Sequence, residues 1–124
     1  MLPEAVSTSL ERSAIVMHGL DLYARVKPLS RPGAQRLLLD LEIDVPMPRS
    51  GDLVTTLDHV RITDIVGQAA MSREFDGLGA LARNVGSCLL DLEGVRHLFI
   101  RVMIPPTHPG GAAVDGIELL LSRE

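Results

Sequence analysis

Aromatic side chains are almost missing from this 124-residue chain, which has no tryptophan, one tyrosine and two phenylalanines. They are Tyr23, Phe75 and Phe99. Surfaces that bind single-stranded nucleic acid stack the bases on exposed aromatic rings, so this scarcity argues against such a surface. Hydrophobic residues make up 46% of the chain, so its core must consist of leucine, valine, isoleucine, alanine and methionine.

Clusters of positive charge and long apolar runs are also lacking. The 12 Lys and Arg residues are interspersed with 16 Asp and Glu residues, which gives a formal net charge of -4. Without a basic run, we expect neither a nucleic acid nor an anionic membrane surface as a partner. No apolar stretch approaches the roughly 20 residues that a membrane-spanning helix needs, so we expect a soluble protein.

Cysteine occurs once, as Cys88, which excludes an internal disulfide. The N-terminus has neither a basic leader nor the apolar stretch of a signal peptide, so we expect a reducing, cytoplasmic location. Cys88 lies near the apolar stripe of a predicted helix, which favours an inert buried thiol over a nucleophile. Two histidines in loops or at helix ends, His59 and His108, have no third ligand at a characteristic spacing, so no metal site is predicted.

Hydrophobicity with a period of two residues predicts strands in both halves of the chain. Residues 1–13 show no sustained period and are expected to form a loose leader, followed by a single domain over 14–124. A first strand starts at Ala14, with a break or bulge at Gly19. Two further strands are predicted around 98–104 and 117–121. The clearest alternation predicts a strand with one apolar and one largely acidic face, through Leu37, Leu39, Leu41, Ile43 and Val45.

Between these strands the apolar period becomes that of two helices. The first starts near Asp58, with Thr56 or Asp58 as the N-cap. The second runs through Leu78 to Leu92, although each glycine within it costs about 1 kcal/mol of helix propensity relative to alanine. The order strand, strand, helix, helix, strand, strand predicts an α+β fold. We expect one four-stranded antiparallel sheet with both helices on its apolar face.

Three segments carry a resemblance to a known family. They are residues 36–43 (RLLLDLEI), 57–66 (LDHVRITDIV) and 75–82 (FDGLGALA). In order and spacing they resemble the second strand and the two helix starts of the dihydroneopterin aldolase and dihydroneopterin triphosphate epimerase family, across most of residues 15–123. The resemblance implies the tunnelling fold (T-fold) in ββααββ order.

The resemblance also implies a chemistry and an assembly. The family cleaves the side chain of dihydroneopterin by a retro-aldol reaction that releases glycolaldehyde, or epimerises the same side chain, in folate-type pterin metabolism. It uses neither a metal nor a Schiff base, so no cofactor is implied. Its pockets form between adjacent subunits of tetrameric rings, which can stack into octamers, and we therefore expect a homo-oligomer with a pterin-like ligand.

Several of the family's functional residues have no match here. The glutamate that anchors the pterin falls at Gly79, and the tyrosine falls at His59. The early-loop glutamate falls near Ser30 or Pro32. The loop lysine falls at Ile104 or Pro105, or at His108, depending on the alignment.

The alignment that places the lysine at His108 suggests that His59 and His108 replace the tyrosine and the lysine as acid and base, because imidazole can exchange protons near neutral pH. The corresponding substrate-binding residues would be Leu57, Asp58, Leu78 and Gly79. Simpler roles remain open for some of them. His59 can be an exposed residue at a helix start, and Asp58 can be its N-cap.

Two other functions therefore remain open beside the aldolase. The protein could be a non-catalytic descendant that binds another small molecule or acts as an assembly or regulatory partner. It could also be an enzyme with a changed substrate, in which the two histidines transfer protons.

Overall fold

A computed structural model describes residues 13–27, 33–45, 59–106 and 116–123 of the chain. Within these residues the elements follow the order β1, β2, α1, β3, α2, β4, β5. The predicted leader, apart from Ser13, and the predicted N-caps Thr56 and Asp58 lie outside the described residues. The bounds are β1 Ala14–Lys27, β2 Gln35–Asp44, α1 His59–Met71, β3 Glu74–Asp76, α2 Leu78–Leu90, β4 His97–Met103 and β5 Gly116–Ser122.

The four long strands form the predicted antiparallel sheet. In the described part of the chain the sheet has five strands in the order β3-β1-β2-β4-β5. The α+β class and the ββααββ order of the long elements are confirmed, but the strand number was predicted one too low. The additional strand β3 pairs in parallel with the end of β1, where Val26 lies opposite Phe75. Three residues are too short for a hydrophobic period to appear, so the sequence pattern did not reveal this strand.

The core lies between the sheet and the two helices. The alternation predicted for the second strand is confirmed, because Leu37, Leu39, Leu41 and Ile43 are all buried. From α1 the buried residues are Ile62, Val66, Ala69 and Ala70. From α2 they are Leu81, Ala82, Val85, Gly86 and Leu89. The helices therefore cover one face of the sheet, and no helix of the described residues covers the opposite face, here called the outer face.

The bulge predicted at Gly19 is present. The pairing of β1 with β2 shifts register between Met17 and Leu20, and Gly19 has a φ of 67°, which favours glycine. Its amide donates a hydrogen bond of 2.8 Å to Oδ1 of Asp40 on the neighbouring strand. The Asp40 carboxylate thus binds the backbone group that the bulge leaves without a ladder partner.

Gly86 lies where α2 approaches β5. A Cβ atom at this position would lie 2.2 Å from Cδ1 of Leu121 and 3.6 Å from Cδ1 of Leu98. For Gly67, in α1, no atom of the described residues outside its own helix backbone lies within 4 Å of the same hypothetical Cβ. Gly86 therefore permits the close packing of α2 on β5, whereas Gly67 has no such role in packing.

We expect opposite effects from the same substitution at these two glycines. Gly67→Ala should raise the free energy of unfolding by about 0.5–1 kcal/mol through helix propensity. Gly86→Ala should lower it by about 1 kcal/mol or more, because the overlap with Leu121 exceeds the propensity gain. Urea denaturation of both variants measures the difference, and adding Leu121→Ala to Gly86→Ala should relieve the steric overlap that lowers its stability. Equal stabilisation by both substitutions would contradict the close packing of α2 on β5.

Candidate functional site

The N-terminus of α2 carries two of the predicted substrate-binding residues, Leu78 and Gly79. Both are half-buried. The helix starts after Gly77, whose φ of 91° is accessible to glycine and whose carbonyl accepts the amide of Leu81. No side chain of the described residues caps this end of the helix. The local sequence Gly-Leu-Gly therefore places backbone and apolar atoms, rather than a carboxylate, at the start of α2.

An apolar side chain lies close to Gly79. A Cβ atom on this residue would lie 3.2 Å from Cδ1 of Ile117, a residue of β5 that pairs with Val102 of β4. Ile104, one residue after β4, is half-buried and packs against the core. The predicted alternative position of the loop lysine, at Ile104, is thus occupied by a side chain without a proton to exchange. His108, the other candidate, lies outside the described residues.

No acidic residue occurs in the first turn of α2. The nearest carboxylate in the preceding segment belongs to Asp76, which is exposed at the end of β3. A carboxylate beside Gly79 would be needed to pair with the N–H donors of a guanidine-like edge. The first turn of α2 therefore does not supply the anchor on which the family depends.

His59 begins the described part of α1 and is exposed. Its carbonyl accepts a hydrogen bond of 2.7 Å from Oγ1 of Thr63 within the helix. A shallow cleft of about 220 Å³ is lined by His59, Val60, Thr63 and Asp64. Val60 is 71% exposed, which is unusual for a valine on a helix that packs against a sheet. The imidazole is thus accessible to a ligand, with an apolar side chain beside it.

The remaining predicted substrate-binding residues, Leu57 and Asp58, lie outside the described residues. They directly precede His59 in the sequence.

His59 and Gly79 lie at opposite ends of the helix pair. Only residues 72–77 connect the two helices, so the start of α2 follows the end of α1. Asn84 of α2 donates a hydrogen bond of 3.0 Å to the carbonyl of Ala69 near that end. His59 is at the far end of α1, a 13-residue helix about 18 Å long. The structure of one chain therefore does not bring these two predicted site residues together.

Asp40 is a polar residue whose burial the sequence pattern did not predict. It lies on the outer face, where the alternation predicted a solvated carboxylate, yet it is only 8% exposed. Besides the Gly19 amide, Nη1 of Arg101 lies 3.6 Å from its Oδ2 and Nδ1 of His18 lies 3.7 Å from its Oδ1. The β1 bulge and the neighbouring strand supply these contacts, and neither is visible in the sequence period of β2.

The other chemically active side chains of the described residues do not form a further reactive cluster. His18 and His97 are exposed on strands, and Cys88 is a free, half-buried cysteine. Within the described ranges, no group of three or more His, Cys, Asp or Glu residues is arranged to hold a metal ion. Neither α1 nor α2 has the length and apolar character of a membrane-spanning helix.

The arrangement of elements defines the class as an α+β T-fold, with a helix pair inserted between two hairpins of one antiparallel sheet. The sequence matches no protein-family model and no curated protein sequence. Solved structures, in contrast, resemble it over most of its length.

The similar structures are dihydroneopterin aldolases. An Escherichia coli enzyme in complex with neopterin has a TM-score of 0.72 and 18% identity, covering 89% of this chain and 99% of the enzyme. A Burkholderia enzyme bound to guanine has a TM-score of 0.70 and 19% identity, covering 91% of this chain and 93% of the enzyme. A Vibrio cholerae protein assigned as a dihydroneopterin aldolase has a TM-score of 0.75 and 21% identity, covering 92% of this chain and 100% of that protein. At these identities the likeness establishes the fold.

Proposed function

We propose that the protein binds a pterin-like heterocycle and cleaves its side chain in a dihydroneopterin aldolase-like reaction of folate-type biosynthesis. The observation that carries this proposal is the structural likeness along about nine tenths of the chain to the enzymes with neopterin and guanine. Both ligands present a flat ring system with a similar hydrogen-bonding edge. A ligand of this class is therefore the first one to test.

In the proposed reaction a base takes the proton of a side-chain hydroxyl while the adjacent carbon–carbon bond breaks. Glycolaldehyde leaves, and an acid returns a proton to the carbon that remains on the pterin. We assign the two proton transfers to His59 and His108, because imidazole can act in either role near neutral pH. The exposure of His59 beside a cleft supports the part of this assignment that concerns His59.

The site would be shared between two subunits. His59 and Gly79 are at opposite ends of one helix pair, so a small ligand could contact both only if they came from neighbouring chains. The sheet has free edges for such an assembly: β5 pairs only with β4, and β1 pairs with β3 only through Arg25–Lys27 among the described residues. Paired edges would protect the backbone groups there. We therefore propose a homo-tetramer or octamer, which sedimentation equilibrium can measure.

A non-catalytic or re-targeted T-fold protein is the second candidate. The start of α2 favours it, because Gly79 lies beside Ile117 and the first turn of the helix presents no carboxylate to the N–H donors of a pterin. Loss of a charge-assisted hydrogen bond weakens binding by about 1.5–3 kcal/mol, or roughly tenfold or more. In this case the protein would keep the fold and bind a different small molecule.

Titration with dihydroneopterin distinguishes the two candidates. If the protein is an aldolase, pterin fluorescence should report saturable binding, and glycolaldehyde should appear in proportion to the substrate consumed. Binding without glycolaldehyde would support the non-catalytic candidate. The absence of binding at millimolar ligand would overturn the proposal of a pterin site.

A carboxylate at position 79 should strengthen pterin binding. We expect Gly79→Glu to bind neopterin about tenfold more tightly than Gly79→Ala, because only the glutamate can accept the paired N–H donors. Both variants place a Cβ near the tip of Ile117, so the alanine variant controls for that steric change. Fluorescence titration measures both constants. Equal affinities would mean that a pterin, if bound, is not held at the start of α2.

A further inference from the structure

A second groove lies on the outer face of the sheet, away from both helix N-termini. Its volume is about 280 Å³, near the lower end of the range for small-molecule sites. It extends over three adjacent strands and is open to solvent. Its lining residues are Glu42 and Asp44 of β2, His97, Leu98 and Phe99 of β4, and Leu120, Leu121 and Ser122 of β5.

The strand register places two apolar side chains, Phe99 and Leu120, here called the apolar floor, beside the carboxylate of Glu42. Phe99 lies opposite Glu42 on one side and opposite Leu120 on the other. Adjacent strands are about 4.8 Å apart, so the Glu42 and Leu120 backbones are separated by roughly 10 Å across the Phe99 strand. Leu120 is 81% exposed, the highest exposure among the large hydrophobic residues of the described chain. Leu120 and Phe99 thus form a small apolar patch that polar groups border.

Glu42 differs from other carboxylates of this face in its pairing. Asp21 pairs with Arg36, and Arg101 pairs with both Asp40 and Glu118. The Glu42 carboxylate is exposed and has no hydrogen bond or ion pair with the described residues. It thus offers a negative charge beside Phe99 that is not engaged in an ion pair with the described residues, although the Arg101 guanidinium carbon lies 5.4 Å from the centre of the Phe99 ring.

The opposite end of the groove has a fixed polar border. Nδ1 of His97 and Oγ of Ser122 are 2.9 Å apart and form a cross-strand hydrogen bond. This bond orients the imidazole at the edge of the groove. The groove thus combines an apolar floor, the Glu42 carboxylate and a polar rim with hydrogen-bonding capacity.

From this combination we propose that the groove binds a compact organic cation, an amine with a small apolar or aromatic body. The ammonium group pairs with Glu42, and the apolar body covers Phe99 and Leu120. Burial of the apolar body strengthens the ion pair by excluding water from it. This site is separate from the proposed pterin site and does not depend on the assignment of that site.

Two probes of equal shape and opposite charge test the proposal. Phenethylamine carries a cation and hydrocinnamate a carboxylate on nearly the same apolar body. In isothermal titration calorimetry at low salt, the full-length protein should bind phenethylamine with at least about tenfold preference. Raising the salt concentration should weaken that binding. Similar affinity for both probes, or no saturable binding of phenethylamine at millimolar concentration, would overturn the proposal.

Variants locate the binding on this groove. Glu42→Gln should weaken phenethylamine binding by about tenfold, because it removes the charge and keeps the shape. Leu120→Asn should also weaken it, and it should not affect folding since the side chain is exposed. Glu93→Gln, on the exposed turn after α2, removes one carboxylate elsewhere and should leave the affinity unchanged. An unchanged affinity in both Glu42→Gln and Leu120→Asn would place the cation elsewhere and refute the assignment.

Discussion

His59→Ala and His108→Ala are each expected to lower the turnover of dihydroneopterin by about 10²–10⁴-fold, the usual contribution of a positioned acid or base. The reason is that the carbon–carbon bond can break only if a proton leaves the side-chain hydroxyl and another reaches the pterin. Because each histidine is assigned one of these transfers, either substitution should affect kcat more than KM. Steady-state kinetics with glycolaldehyde detection measures both constants.

His18→Ala is the matched control for these two variants. It also removes one imidazole, but from the exposed end of the β1 bulge, where the ring is 70% exposed. Its turnover should equal that of the unchanged protein. If His59→Ala and His108→Ala also keep full turnover, neither histidine transfers a proton. A rise in KM alone would instead assign them to substrate binding.

Phe75→Ala should cause the largest loss of stability, about 3–5 kcal/mol in the free energy of unfolding. Phe75 is 1% exposed and heads the fully buried side chains by volume. It belongs to β3, between the two helices, and pairs with the end of β1. Its removal would leave a cavity between α2 and the sheet. Urea denaturation at fixed protein concentration measures the loss, and fixing the concentration removes effects of assembly.

The only other phenylalanine provides the comparison. Phe99 is half-buried on the outer face, with the Arg101 guanidinium carbon 5.4 Å from the centre of its ring. Phe99→Ala should cost about 1 kcal/mol, the scale of an exposed cation–π contact with some apolar burial. If the two alanine variants were equally stable, β3 would not be part of the core.

Much of the fold could be predicted because its signals are local. The alternation along residues 37–43 corresponds to four buried side chains of β2, and the apolar period of residues 62–69 corresponds to the buried face of α1. Gly19 could be recognised as a bulge because it interrupts a regular alternation. Each of these features depends on the order of residues within one element.

Other features depend on residues that are distant in the sequence. The sequence pattern indicates only that Gly86 weakens the second helix. In the structure this glycine leaves room for the side chain of Leu121, which approaches from β5. Asp40 has the sequence environment of a solvated residue and is buried by the β1 bulge and Arg101. The candidate site also depends on residues that are distant in the sequence. The resemblance implies that His59 and Gly79 belong to one site, but within a single chain they are separated by the length of α1.

The sequence by itself determined the α+β class, the order of the long elements, the composition of the core and the list of residues that can exchange protons. These follow from periodicity and from side-chain chemistry, which are properties of short segments. Only the tertiary structure decided which of those residues are neighbours. It added β3, it buried Asp40, and it placed Phe99 between Glu42 and Leu120, because contacts between strands are set by register across the sheet and not by distance along the chain.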